Sequence, residues 1–344
     1  MKKYSLLFLL ITLFASCKKE VDFSLKQNAN EQFYLKDGRS NMPVKVQGNT
    51  ASKVFILVIH GGPGGEAITT YNGDITAELK KRYGVVFWDQ RNAGNTQGAK
   101  GEKLSVSTYV NDLEKLIFLL KNKYGDDNKY FLYGHSWGGM LTSSYLIKGD
   151  NQKNIAGWIE VDGVHNWPLN DVLTRNMIDS IGTIEMANNR NANDWKEMVD
   201  FCRKLKLPTD LINSSKLNKY AFKAETLMKD SIAQEAGFQF GNRSMANISS
   251  SFAHSTFMGF NSGLFNELTV ATNSPQLAKI TVPSVFLWGR YDFVVPQGMM
   301  VDAFYTVNST YKEAWTFTYS GHSPMYNQTK VFNETVINFI EKVR

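Results

Sequence analysis

Within the 344-residue chain, one short stretch stands out for its chemistry: Gly134-His135-Ser136-Trp137-Gly138. A serine with glycine two positions away on either side can sit in a turn too sharp for larger neighbours. Its hydroxyl is then raised at the start of a helix, whose dipole favours developing negative charge. A serine hydroxyl is a weak nucleophile until a base takes its proton, and that base needs an acid to orient it. Of the five histidines, His322 lies in Ser320-Gly321-His322-Ser323-Pro324, just after an apolar run. Asp292 lies in Gly289-Arg290-Tyr291-Asp292, just after another. The plainer readings are a turn-former before Pro296 for Asp292 and an ordinary loop residue for His322. With Ser136 in place, the order serine, acid, histidine makes Ser136, Asp292 and His322 the expected triad, and Asp162 the fallback acid.

Acyl transfer also needs backbone N–H donors aimed at the oxyanion, each contributing a few kcal/mol to lowering the barrier. His60-Gly61-Gly62-Pro63-Gly64-Gly65 follows an apolar run and lets the main chain come close, because glycine has no side chain to block it. The N–H groups of Gly62 and of Trp137 are the expected oxyanion donors. A glycine-rich loop can instead cradle phosphate, but neither nucleotide-binding glycine pattern is present. His60 is read as a buttress of this loop, not a base.

These residues must be carried by regular elements. Val54–Ile59 (VFILVI) is continuous, apolar and β-branched, as expected of a strand buried on both faces. Val85–Trp88, Tyr130–Tyr133, Ile155–Val161 and Val285–Trp288 repeat that character, with Trp315–Tyr319 as the last strand. Phe33–Leu35 and Val44–Val46 read as short edge strands. Helical patterns cover Asp74–Tyr83, Ser107–Tyr124, Trp137–Ile147, Gln297–Tyr305 and Thr329–Val343. Strands alternating with helices imply an α/β fold with a mostly parallel sheet, and each expected triad residue follows a strand, where open α/β sheets place their sites.

The rhythm breaks at residues 164–276, which are rich in Asn, Ser and Lys. Val172–Met186 and Asp194–Leu205 read there as helices, with Pro208 and Asn213–Ser215 as punctuation. Two strand–helix units between Ser136 and Asp292 would take about 60 residues, leaving roughly a hundred for an insertion. The expected organisation is a core of residues 31–163 and 277–344 interrupted by a helical cap. The cap aromatics (Trp167, Trp195, Phe201, Tyr220 and Phe222, then Phe238, Phe240, Phe252, Phe257 and Phe260) either line a pocket or pack the cap itself.

HGGPGG, Asp89-Gln90-Arg91 after the next strand, GHSWGG, GRYD and SGHS together resemble the proline iminopeptidase family of alpha/beta-hydrolases. The resemblance spans both halves of the core. It implies an alpha/beta-hydrolase fold with a Ser-Asp-His triad under a helical cap, no metal or organic cofactor, and release of an N-terminal residue, often proline, from peptides. It also implies cap acids that receive the substrate's amine. No cap motif aligns, so Glu185, Glu225 and Glu235 are candidates by composition alone, each also readable as a solvated helix-face charge. Asn92-Ala93-Gly94-Asn95 departs from the glycine and small-residue turn that usually follows DQR. A carboxylesterase, amidase or lipase on the same core is the alternative reading. A non-catalytic binding protein that kept the fold is a third, which the complete triad argues against.

Composition sets the bounds. Apolar residues make up 43% and charged residues 20%, so wholesale disorder is excluded. A net charge of +6 without a clustered basic stripe gives no footprint for nucleic acid. Two cysteines cannot build a disulfide framework. Lys2 and Lys3 before the apolar run Leu6–Phe14, followed by Ala15, Ser16 and Cys17, have the proportions of an export signal. Small residues before a cysteine resemble the lipobox of bacterial lipoproteins, although Phe14 replaces the usual aliphatic residue. The alternative is an ordinary secretory signal with an incidental cysteine. The expectation is a signal at 1–16, lipidation at Cys17, a polar tether at 17–30 and an exported enzyme held at a bacterial membrane. Oligomeric state is left open.

Overall fold

A computed structural model describes residues 24–98, 101–236 and 262–344. The signal segment and Cys17 lie outside the described residues. Eight strands form one sheet: β1 (Ala29–Asp37), β2 (Ser40–Gly48), β3 (Val54–Ile59), β4 (Gly84–Trp88), β5 (Lys129–His135), β6 (Gly157–Val161), β7 (Ser284–Gly289) and β8 (Lys312–Phe317). Their order across the sheet is β1-β2-β4-β3-β5-β6-β7-β8. Every pairing from β4 to β8 is parallel, while the β1–β2 hairpin joins β4 antiparallel. β1, at the sheet edge, and β2, which lies inside the sheet between β1 and β4 and not at its edge as expected for Val44–Val46, are nine residues each, longer than their short apolar centres suggest. The last strand stops at Phe317, because Tyr319 already belongs to the turn leading to His322.

All residues of β3, β4, β6 and β7 are buried. Helices cover both faces, which explains why those strands read as largely apolar runs, with Glu160 in β6 and Ser284 in β7 as buried polar members. The helices of the core are α1 (Ala77–Arg82), α2 (Val106–Tyr124) and α3 (Trp137–Ile147) in the first half. Between β6 and β7 come α4 (Trp167–Ala187), α5 (Ala192–Lys204), α6 (Leu211–Ala236) and α7 (Ser262–Leu268). Then α8 (Gly298–Thr306), α9 (Pro324–Asn327) and α10 (Thr329–Val343) complete the chain. Asn213–Ser215, expected to break the chain, lies inside α6 instead. Asp210 accepts the Asn213 N–H at 2.8 Å and so caps that helix, which turns a polar cluster into a helix start.

The two ends of the inserted helical region are tied together. Asn273 N–H donates to the His165 carbonyl at 2.7 Å and Trp167 N–H to that of Ala271 at 2.9 Å. The Asn273 amide also donates to Ser143 and Ser144 on α3, both at 2.8 Å. Beneath this junction the fully buried His165 ring places Nδ1 3.1 Å from Glu160 and Nε2 3.0 Å from Asp302, which also accepts from the Ser274 hydroxyl. Burial opposes the charged ring, but the Glu160 and Asp302 carboxylates outweigh it and push the pKa up to about 9.

A folded pKa raised above the unfolded value gives stability that is complete below about pH 6.5 and fades as pH rises through about 9. Urea unfolding is therefore expected to show a loss on the order of 1–3 kcal/mol between those limits, and His165→Gln is expected to remove that slope.

Candidate active site

Backbone geometry at Ser136 is the first element of the site. Ser136 has φ +57° and ψ −121°, a strained conformation for a residue with a side chain. The strain is locked in by close approach. A Cβ on Gly138 would lie 2.2 Å from the Ile59 carbonyl oxygen, and one on Gly139 would lie 2.6 Å from Gly163 Cα. The Ser136 carbonyl accepts the N–H groups of Gly139 at 2.8 Å and Val164 at 3.0 Å.

His322 and Asp292 arrive from the loops after β8 and β7. The Ser136 hydroxyl donates to His322 Nε2 at 2.9 Å, and His322 Nδ1–H donates to Asp292 Oδ2 at 2.9 Å. Asp292 is fully buried, and its other oxygen accepts the N–H groups of Val294 and Val295 at 2.8 and 2.7 Å. Those bonds fix the carboxylate, which in turn fixes the imidazole tautomer with Nε2 free to accept a proton. The chain of three groups has the geometry required for a nucleophile, a general base and an orienting acid.

The glycine loop stands opposite. Gly62 has φ +132° and lines the cavity together with Ser136. The N–H of Trp137 opens α3 directly after the serine. His60 holds this loop as a buried neutral ring: Nε2 accepts the Gln90 N–H at 3.1 Å and Nδ1–H donates to the Gly61 carbonyl at 2.7 Å, while burial pushes its pKa down. Gln90 closes the arrangement by donating to the His60 carbonyl at 3.0 Å and accepting the Trp137 indole N–H at 2.9 Å.

Asp89 and Arg91 fasten the neighbouring loop. Asp89 accepts the N–H groups of Ala67, Ile68 and Asn95. Arg91 makes a bidentate pair with Asp112 at 2.6 and 2.7 Å and also reaches Glu102 and Asp37. Asn92 and Gly94 take positive φ, which gives this unusual turn its shape.

Three contacts behind Ser136, Asp292 and His322 have no signature in the sequence. Gly61 N–H donates to the Tyr71 hydroxyl at 3.3 Å, that hydroxyl donates to His135 Nδ1 at 2.6 Å, and His135 Nε2–H donates to the His322 carbonyl at 2.8 Å. The glycine loop is thus connected to the His322 loop through a buried ring. Gln90 lies in a motif that marks it out; Tyr71 sits in a segment without any signal.

The candidate cap acids separate. Glu225 on α6 accepts the His322 backbone N–H at 2.8 Å, so it reaches the triad loop. Glu185 is buried within the insertion, paired with Arg190 at the end of α4, and is not among the groups lining the cavity. Glu235 lies in α6, but its side chain is outside the described residues. The cavity at Ser136 has a volume of about 280 Å³. Val164, Trp167, Phe222, Phe265, Val294 and Val295 supply apolar wall, Asp171 and Asn170 a polar stretch, and the exposed Lys219 its outer edge. Trp195 packs the insertion instead, fully buried with its ring centroid 5.9 Å from that of Phe293. Phe201 and Tyr220 pack on each other. Phe238, Phe240, Phe252, Phe257 and Phe260 lie outside the described residues.

Residues 54–314 match the family described as alpha/beta hydrolase fold, and the chain belongs to that family. Among curated relatives, proline iminopeptidase of Saccharolobus solfataricus is 25% identical over 91% of this chain and 93% of its own. The probable aminopeptidase YbaC of Bacillus subtilis is 22% identical over 88% and 93%. Among solved structures, proline iminopeptidase of Mycobacterium smegmatis superposes with a TM-score of 0.62 at 15% identity, covering 91% of this chain and 98% of that one. An esterase from Exiguobacterium antarcticum superposes at 0.58 and 16% identity, covering 91% and 100%. At such identities the structural likenesses establish the fold alone.

If Ser136 is the nucleophile, a fluorophosphonate probe is expected to label the protein, with labelling lost in Ser136→Ala and kept in Ser144→Ala. In-gel fluorescence with a peptide-mass readout checks this.

Proposed function

We propose that this protein is a serine hydrolase that releases N-terminal amino acids, proline or small apolar residues, from peptides through an acyl-enzyme. Ser136 attacks the carbonyl of the first residue while His322 takes its proton, and Asp292 stabilises the imidazolium that forms. The N–H groups of Gly62 and Trp137 receive the developing oxyanion. His322 then protonates the leaving amine, and water, deprotonated by the same ring, frees the amino acid. These steps use protein side chains, backbone N–H groups and water.

The observation carrying this reading is Glu225, a carboxylate delivered from α6 to the backbone of His322. Together with Asp292, which is bonded to His322 Nδ1, it places carboxylates on both the backbone and the ring of that residue. A free α-ammonium group beside the reacting carbonyl is favoured there, whereas a neutral acyl chain gains nothing from the charge. The proline iminopeptidase relatives point the same way. The apolar wall of the cavity is the observation favouring the alternative, a carboxylesterase, amidase or lipase.

An aminoacyl arylamide is expected to be cleaved and its Nα-acetylated form to be turned over at least about 100-fold more slowly, the loss expected when a buried charge partner goes unmatched. Equal turnover of the two forms would reject the exopeptidase reading, and efficient cleavage of short nitrophenyl esters with inertness toward every aminoacyl substrate would establish the alternative.

We also propose that the protein is exported and held at a bacterial membrane by lipid on Cys17. Multiple acyl chains are required for stable anchoring. Among the described residues no helix is long and apolar enough to cross a membrane. Metabolic labelling with a radioactive fatty acid is expected to mark the wild type and to leave Cys17→Ser unlabelled and in the soluble fraction.

A further inference from the structure

We propose that Asp162 is a second acidic partner for His322, standing behind Asp292 in the intact site and able to take over its work when Asp292 is removed. The proposal rests on Ser136 and His322 acting as nucleophile and base, and not on any choice of substrate.

Asp162 follows β6 just as Asp292 follows β7, so the sheet delivers two carboxyl groups to adjacent strand ends. It is fully buried and holds φ +44°, an uncommon conformation for aspartate in an otherwise regular strand exit. Its N–H donates to the Leu287 carbonyl at 3.0 Å and its Oδ1 accepts the Gly289 N–H at 2.9 Å. Both bonds go to β7 and clamp the side chain toward the Asp292 loop. Among the described residues the remaining oxygen, Oδ2, receives no hydrogen bond from an N–H or O–H group. Apart from burial, the Asp292 carboxyl is the group that acts on Asp162 most strongly.

Two carboxylates so placed cannot both carry charge at modest cost. Burial, Asp292 and Glu225 all hold Asp162 in its protonated form, against the Gly289 N–H. His135 and His322 face it from β5 and the β8 loop, and the buried Tyr133 lies within its field. A protonated Asp162 turns the repulsion into a donor bond toward Asp292, leaving one negative charge for the histidine.

One carboxyl oxygen of Asp162, one nitrogen of His322 and one of His135 lie within 4.8 Å of one another. Such a trio suits a divalent cation by spacing. Its imidazole nitrogens are already engaged, those of His135 by Tyr71 and the His322 carbonyl, those of His322 by Ser136 and Asp292. The trio is therefore better read as a relay. From that separation the imidazole needs to move by about 2 Å at most to bond Asp162 directly. Removing Asp292 also removes, after burial, the largest influence that holds Asp162 protonated, so that Asp162 ionises at a lower pH than in the intact site. Asp162 then releases its proton to solvent, and His322 Nδ1–H donates to the new carboxylate.

The test compares wild type, Asp292→Ala, Asp162→Asn and the double variant, by the rate at which fluorophosphonate labels Ser136 across pH. Asp292→Ala is expected to label at least about 10-fold faster than Asp292→Ala/Asp162→Asn, with a rise toward higher pH that the double variant lacks. Asp162→Asn alone, whose amide still donates to Asp292, is expected to lower kcat a few-fold at unchanged KM. Circular dichroism melts confirm folding, and Asp292→Asn carries the same comparison if Asp292→Ala does not fold. Equal rates and equal pH profiles for the single and double Asp292 variants overturn the proposal. Failure of the wild type to label overturns it together with the triad reading, whereas inertness toward aminoacyl substrates with normal labelling touches only the peptidase assignment.

Discussion

The site depends on one backbone constraint, the left-handed conformation of Ser136. It is held by chain segments that approach too closely to admit a side chain at Gly138 or Gly139. That approach brings β3, the start of α3 and the exit of β6 together at one point. It also brings the serine hydroxyl within 2.9 Å of His322 Nε2. Strain of this kind costs on the order of 1–3 kcal/mol and persists only where the surroundings over-determine it. Here the two bonds to the Ser136 carbonyl and the fully buried α3 supply that determination.

Much of this was legible in the sequence for a physical reason. Strands buried on both faces must be apolar throughout, so β3 to β7 announce themselves. A turn that forbids side chains must be written in glycine, so the serine turn and the HGGPGG loop announce themselves as well. The same logic explains the misreadings. Asn213–Ser215 lies in a helix because capping by Asp210 is a matter of local hydrogen bonding that composition does not reveal. The β1–β2 hairpin extends beyond its apolar centres because ladder bonds, not burial, carry its ends.

Partners that meet only in the folded chain were not legible. Tyr71 and His135 are 64 residues apart and His135 and His322 are 187 apart, yet they form one hydrogen-bonded line from the glycine loop to the His322 backbone carbonyl. Glu225 differs from Glu185 in nothing that local sequence shows. One reaches the His322 backbone and the other neutralises Arg190 at a helix end. The position of a carboxylate in a helical insertion is decided by the packing of whole helices, and a single chain carries little record of it.

The arrangement of acids follows from the same geometry. Parallel strands end together, so residues just past β6 and β7 are neighbours whether or not both are needed. A carboxylate at each end would be mutually destabilising if both were charged, and the structure resolves this by burying one against the other with a backbone N–H on each side. Asp292 receives two N–H donors on one oxygen and the imidazole on the other, while among the described residues the Asp162 side chain receives one N–H. Burial first, and then the neighbouring Asp292, push the Asp162 pKa up against that single bond. The two carboxyl groups are thus held differently, and Asp292 is the one bonded to His322. The protein needs no difference in residue type to assign the two roles, only the way the chain turns after each strand.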